Sequence, residues 1–167
     1  MTDDALVRGD AAVIHDDGGK SFWQPLPANG HAEVKISPWT VRTQHPFSMG
    51  LQAVAPGGYV RDHAHDRGEE VIHFVAGSGY TEIDGERHRV APGTTLYLGP
   101  NRRHTFVNDG DVELKFVWFF LPGGLEDFFA AIGRERAPGE PAPAPFPRPA
   151  DVKAIEARTV FSPALTK

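Results

Sequence analysis

The chain has 167 residues, with 17 Lys and Arg against 22 Asp and Glu and no Cys. That length suits one domain around a single hydrophobic core, and a formal net charge of −5 argues against a general nucleic-acid binder, which needs a basic face to neutralise phosphates. Without cysteine there are no disulfides, thiolate ligands or thiol nucleophiles, so any metal must be held by nitrogen and oxygen, and the expected partner is a small molecule.

The first twenty residues are polar, contain Gly18-Gly19 and show no sustained period, as expected of an arm ordered only where it docks. Their start, MTDDALVRGD, lacks the apolar core of an export signal. The longest strongly apolar run, 116–121, is far too short to cross a bilayer. A cytoplasmic protein with no membrane or nucleic-acid partner is expected.

From Phe22 onward, short segments rich in β-branched and aromatic residues alternate with Pro and Gly punctuation. Strands are predicted over 31–36, 47–55, 69–76, 80–84, 94–98, 104–107 and 112–121. The turns between them carry fitting chemistry, with Asp84-Gly85 and Asn108-Asp109-Gly110 able to take the positive φ of tight hairpins. Such a pattern means an all-β sandwich or small barrel. After Leu121 the texture changes. Leu125, Phe128, Phe129 and Ile132 fall at i, i+3, i+4 and i+7, an apolar helical stripe closed by Gly133, and this helix is expected to pack outside the barrel. Pro alternates with small residues over 138–149, predicting an extended strap across the protein's own surface, and a short helix begins near Asp151. The expected organisation is an arm over 1–20, a barrel over 21–122, and helices with a strap over 123–167.

The chemistry concentrates in residues 57–77. If 59–65 is extended, Tyr59, Arg61, His63 and His65 share one face, and two imidazoles two residues apart on a strand can reach one ion. Glu70 opens the next strand, where Ile72 and Phe74 share its face. Glu69 and His73 fall on the other face. A fourth ligand is expected from across the barrel, and His104 leads a strand in which Phe106 faces the same way. Three imidazoles and a carboxylate suit a first-row divalent metal and leave coordination positions open, which points to chemistry or ligand binding.

The spacing Gly57, His63, His65, Glu70, Gly77, followed by Gly85, His104 and Asn108, resembles the two motifs of the cupins. The loop before His104 departs from that family, with Gly99 and Asn101 where it has Pro and Gly; Asn can adopt the left-handed conformation that Gly would supply. The resemblance implies a double-stranded β-helix (jelly-roll) barrel of six or more strands with the metal inside, and commonly a homodimer. It does not imply one reaction.

The lining must therefore speak for the function. Arg61 would bring a guanidinium near the metal to hold a substrate carboxylate or enolate, and Tyr59 a hydroxyl. Phe116, Trp118 and Phe120 share the inner parity of the last strand and, with Ile72, Phe74 and Phe106, either wall an aromatic pocket or fill the core. A polar metal among apolar walls suits a small aromatic or enolisable substrate. The expectation is a non-haem Fe(II) dioxygenase, with Mn, Ni or Zn as other metals. The alternatives are a redox-neutral lyase, isomerase or decarboxylase, or a non-catalytic binder.

Overall fold

Strand β10 (Leu114–Leu121) sets the pattern for the fold. Leu114, Phe116, Trp118 and Phe120 are buried and alternate with more exposed neighbours, the period-two signature of a strand with one face on a core. In the computed structural model, which describes residues 8–16 and 18–162, β10 lies between β3 (Ser48–Val54) and β5 (Glu69–Ala76) and is antiparallel to both. Beyond β3 come β2 (His31–Ile36), β1 (Lys20–Trp23) and the two-residue β11 (Arg134–Glu135), and beyond β5 comes β8 (Thr95–Leu98). The result is a seven-stranded sheet in the order β11-β1-β2-β3-β10-β5-β8.

A second sheet has the order β4-β9-β6-β7, formed by β4 (Tyr59–His63), β9 (His104–Val107), β6 (Gly79–Ile83) and β7 (Glu86–Val90). The inner faces meet through aromatic rings. Phe106 lies 4.9 Å from Phe116 and 6.0 Å from Phe74, centroid to centroid. Burying each such side chain stabilises the fold by about 1.5–3 kcal/mol, and this ring cluster joins the sheets into the expected jelly roll.

The seven predicted strands are all present, their ends shifted by no more than two residues. β1, β7 and β11 were not expected. β7 escapes a hydrophobic reading because only Val90 of Glu-Arg-His-Arg-Val is buried; it forms by pairing with β6 across the Asp84-Gly85 turn, both of whose residues have positive φ.

Helix α1 (Leu125–Ile132) buries its predicted stripe, with Phe129 5.4 Å from the Trp118 ring. Phe119, on the outer face of β10, is covered by Phe47 at 4.9 Å rather than by the helix. The strap runs across the protein's own surface: Phe146 is buried, its carbonyl accepts the Leu26 N–H at 2.9 Å, and the Arg134 guanidinium lies 4.0 Å over its ring. Helix α2 (Val152–Arg158) then buries Ile155. Strap and helices lie outside the two sheets and wall one end of the space between them. Among the described residues no helix is long and apolar enough to cross a membrane.

Candidate metal centre

The register of β4 against β9 decides how the first histidine is aimed. Tyr59 pairs with Val107 and Val60 with Phe106, but the register then slips by one, so that His63 rather than Asp62 stands opposite His104. This is a β-bulge, and it corrects the strict alternation expected over 59–65. Val60 packs against the core and His63 turns inward beside His104, while Tyr59 and Arg61 lie exposed at the rim. His65 follows the end of β4 and is fixed through its backbone: its carbonyl accepts the N–H of Asn101 at 2.7 Å. Asn101 sits at φ 63°, the left-handed conformation expected of it. Glu70, second residue of β5, pairs with Phe120 of β10, whose ring lies 4.7 Å from that of His65. Gly68 makes this contact possible, since a Cβ there would come within 2.1 Å of the Phe120 ring.

These elements bring the donor atoms of His63, His65, Glu70 and His104 within 4.8 Å of one another. Each imidazole donates its Nδ1–H to a backbone carbonyl: His63 to Arg61 at 2.7 Å, His65 to Val160 at 2.9 Å and His104 to Arg102 at 2.9 Å. The tautomers are thereby fixed, and every Nε2 presents a lone pair to the centre. Glu70 Oε2 lies 3.2 Å from His104 Nε2 and 3.7 Å from His65 Nε2, yet these three buried atoms have no hydrogen-bond partner. Orphaned buried polar atoms are costly, and lone pairs grouped around a carboxylate oxygen at these distances are an arrangement that a bound cation would satisfy. Charge agrees. Burial lowers the pKa of His63, and the adjacent His104 and His65 lower it further, keeping the ring neutral and able to ligate. Glu70 is buried among these rings and supplies the anionic donor of the set. The set fits a divalent metal bound by three neutral imidazoles and one carboxylate.

A cavity of about 620 Å³, including its open mouth, leads to this centre. His63 and Glu70 stand at one end, Tyr59 and Arg61 at the rim, and Phe106 on the wall. The remaining aromatic and aliphatic candidates, Ile72, Phe74, Phe116, Trp118 and Phe120, are fully or almost fully buried and do not line it. Helix α1 supplies the apolar wall instead, through Leu125, Phe128, Phe129 and Ile132. Gln24, Gln52, Arg148 and Glu156 add polar groups, and Phe161 of the C-terminal segment lies 5.4 Å from the His63 ring and 5.1 Å from that of His65. None of these was expected at the site from the sequence. The helical stripe was legible only as packing, and Arg148, Glu156 and Phe161 reach the site through tertiary contacts that have no local sequence signal.

Glu69 and His73 are exposed, as their parity implies, and His73 Nδ1 lies 2.8 Å from Thr95 Oγ1. Arg61 does not pair with its acidic sequence neighbours but with Glu156 of α2.

The cupin domain family model matches residues 50–120, the span that holds all four candidate ligands. Protein SchB of Streptomyces halstedii is 31% identical over 93 residues, covering 56% of this chain and 67% of its own. Polyketide synthase CurC of Streptomyces cyaneus is also 31% identical over 93 residues, but the match covers only 60% of its length. Among solved structures, a Cupin 2 conserved barrel domain protein from Salinispora arenicola superposes with a TM-score of 0.52 and 25% identity, over 68% of this chain and 89% of that one. Motif, donor geometry and barrel agree: the chain belongs to the cupin superfamily, with a cupin barrel bearing a candidate His/Glu metal-binding cluster.

Proposed function

We propose that the protein is a mononuclear metal-dependent enzyme, a non-haem iron dioxygenase acting on a small aromatic or enolisable organic substrate. The observation that carries this reading is the convergence of three imidazole lone pairs and the Glu70 carboxylate at one end of a cavity with largely apolar walls. A four-ligand shell leaves room on a six-coordinate ion, and bound iron would supply a redox centre on which substrate and dioxygen can meet.

The chain's own residues define what enters. Phe106, Phe128 and Phe129 offer a planar substrate apolar contact and exclude water from the inner cavity. Arg61 and Tyr59 stand at the rim, where a guanidinium and a phenol can orient an oxyanion. Glu70 is enclosed among the histidines and serves as a ligand rather than a mobile base. Relatedness to a protein named as a polyketide synthase supports the substrate class, because polyketides are rich in enolisable and aromatic units.

The test is oxygen uptake by anaerobically iron-loaded protein offered a panel of phenols, flavonols, β-diketones and aromatic carboxylic acids. Uptake with at least one of them, abolished by His104→Ala, is expected. No uptake with any member would overturn the dioxygenase reading, and turnover with zinc in the absence of oxygen would replace it with a redox-neutral reaction.

A further inference from the structure

Two guanidiniums share one carboxylate on the wall of the cavity. Arg148, from the strap, donates from Nη2 to Glu156 Oε1 at 2.7 Å, and Arg61, from β4, makes a short contact with the same oxygen. All three residues line the cavity that also holds His63 and Glu70. We propose that Arg61 and Arg148 form a carboxylate-binding pair, and that the substrate is a monoanionic organic acid with an apolar body. This rests on the reading of the cavity as the substrate site of the metal centre.

The first argument is charge. Two cations and one anion leave a local excess of one positive charge, and among the described residues neither guanidinium has an ion pair other than that with Glu156. Glu70, the other carboxylate on the cavity wall, is committed to the histidines. The second is unused donor capacity. A guanidinium carries five N–H donors in a planar fork, and each of these two makes a single hydrogen bond to Glu156. The third is burial. The Arg148 side chain is only 16% exposed, so water compensates little of its charge. Burial and the neighbouring Arg61 charge lower its pKa while Glu156 raises it. A charge so placed beside Phe128, whose ring centroid lies 6.0 Å away, is suited to an anion whose body is apolar.

Were the trio only a latch holding α2 to the barrel, it would have no preference for anionic ligands. Titration calorimetry on the metal-loaded full chain separates the two roles, using 2-naphthoate and its neutral counterpart 2-naphthamide. Wild type is expected to bind the naphthoate about tenfold more tightly or better, the scale of charged hydrogen bonds. R148M and R61M should each bring the ratio of naphthoate to naphthamide affinity close to one. E156Q removes the internal counter-charge and should tighten naphthoate binding several-fold. Equal affinities in wild type would overturn the proposal. So would naphthoate binding that is abolished by chelation but indifferent to both arginines, since its carboxylate would then sit on the metal. If either arginine variant fails to fold, E156Q decides, and no gain in naphthoate affinity overturns the pair. Binding is read here without turnover, so a failed oxygen assay leaves this result standing, and equal affinities here leave the dioxygenase reading standing.

Discussion

At the scale of single residues, each imidazole is fixed by a carbonyl. For His63 and His104 that carbonyl lies two residues back in the chain, in Arg61 of β4 and in Arg102 of the loop that leads into β9. For His65 it belongs to Val160, 95 residues away. The first two bonds are local to β4 and to the entry of β9, whereas the third depends on how the end of the described chain docks. A different electrostatic device lies in the barrel wall. Glu33 meets His31 at 3.4 Å, Lys35 at 2.9 Å and Arg136 at 3.5 Å. The hydrogen bond from His31 pulls its pKa down and outweighs the opposing effect of burial; Lys35 adds to it, and the result is about 2 against an ordinary 4.5. A carboxyl depressed in the folded state contributes stability that is complete above the unfolded value and lost as pH falls through the folded one. Glu33→Gln should therefore lower the urea midpoint at pH 6 and narrow its gap to wild type between pH 4.5 and 2. A gap that stays constant across that range would refute the assignment.

At the scale of elements, the segment after α2 behaves as part of the metal centre. Val160 accepts from His65, Ser162 donates its N–H to the Ala64 carbonyl at 2.8 Å, and Phe161 packs edge-on against Phe128 at 4.4 Å and against two ligand rings. Outer partners of this kind typically account for a 10–100-fold range in metal affinity. Ending the chain after Thr159 is expected to weaken metal binding by about tenfold or more, measured by competition with a chromogenic chelator, with the β-sheet circular dichroism unchanged. Equal affinity in the shortened and full chains would remove the segment from the site. This also explains which parts were legible in the sequence. Alternation exposed β5, β9 and β10, and the spacing of His63, His65, Glu70 and His104 named the four candidate ligands, because both are encoded locally. The β4 bulge was not, since nothing in Val60-Arg61-Asp62 announces an extra residue; it appears only when β4 is paired with β9. β7 was hidden by its charges, and Phe161 and Arg148 reach the cavity only because the strap folds back over Leu26.

At the scale of the whole molecule, the four ligands join segments that otherwise touch mainly through apolar packing. His63 and His104 belong to the four-stranded sheet, Glu70 to the seven-stranded sheet, and His65 to the loop between them, tied in turn to the C-terminal segment. A cation bound among them clamps both sheets and the segment together, and it is bound in the folded state alone because the unfolded chain presents no such cluster. Binding linkage then gives a stabilisation that grows with the logarithm of metal concentration, about 4 kcal/mol at a thousandfold excess over the dissociation constant. In a chain of this length each kcal/mol raises the melting temperature by roughly 2–4 °C. Adding iron or manganese to chelator-stripped protein should therefore raise the melting temperature by on the order of 10 °C, and removal should reverse it. Glu70→Gln removes the anion that both sheets share through the ion, and it should abolish the metal-dependent rise. A rise that persists in Glu70→Gln would mean the ion binds elsewhere.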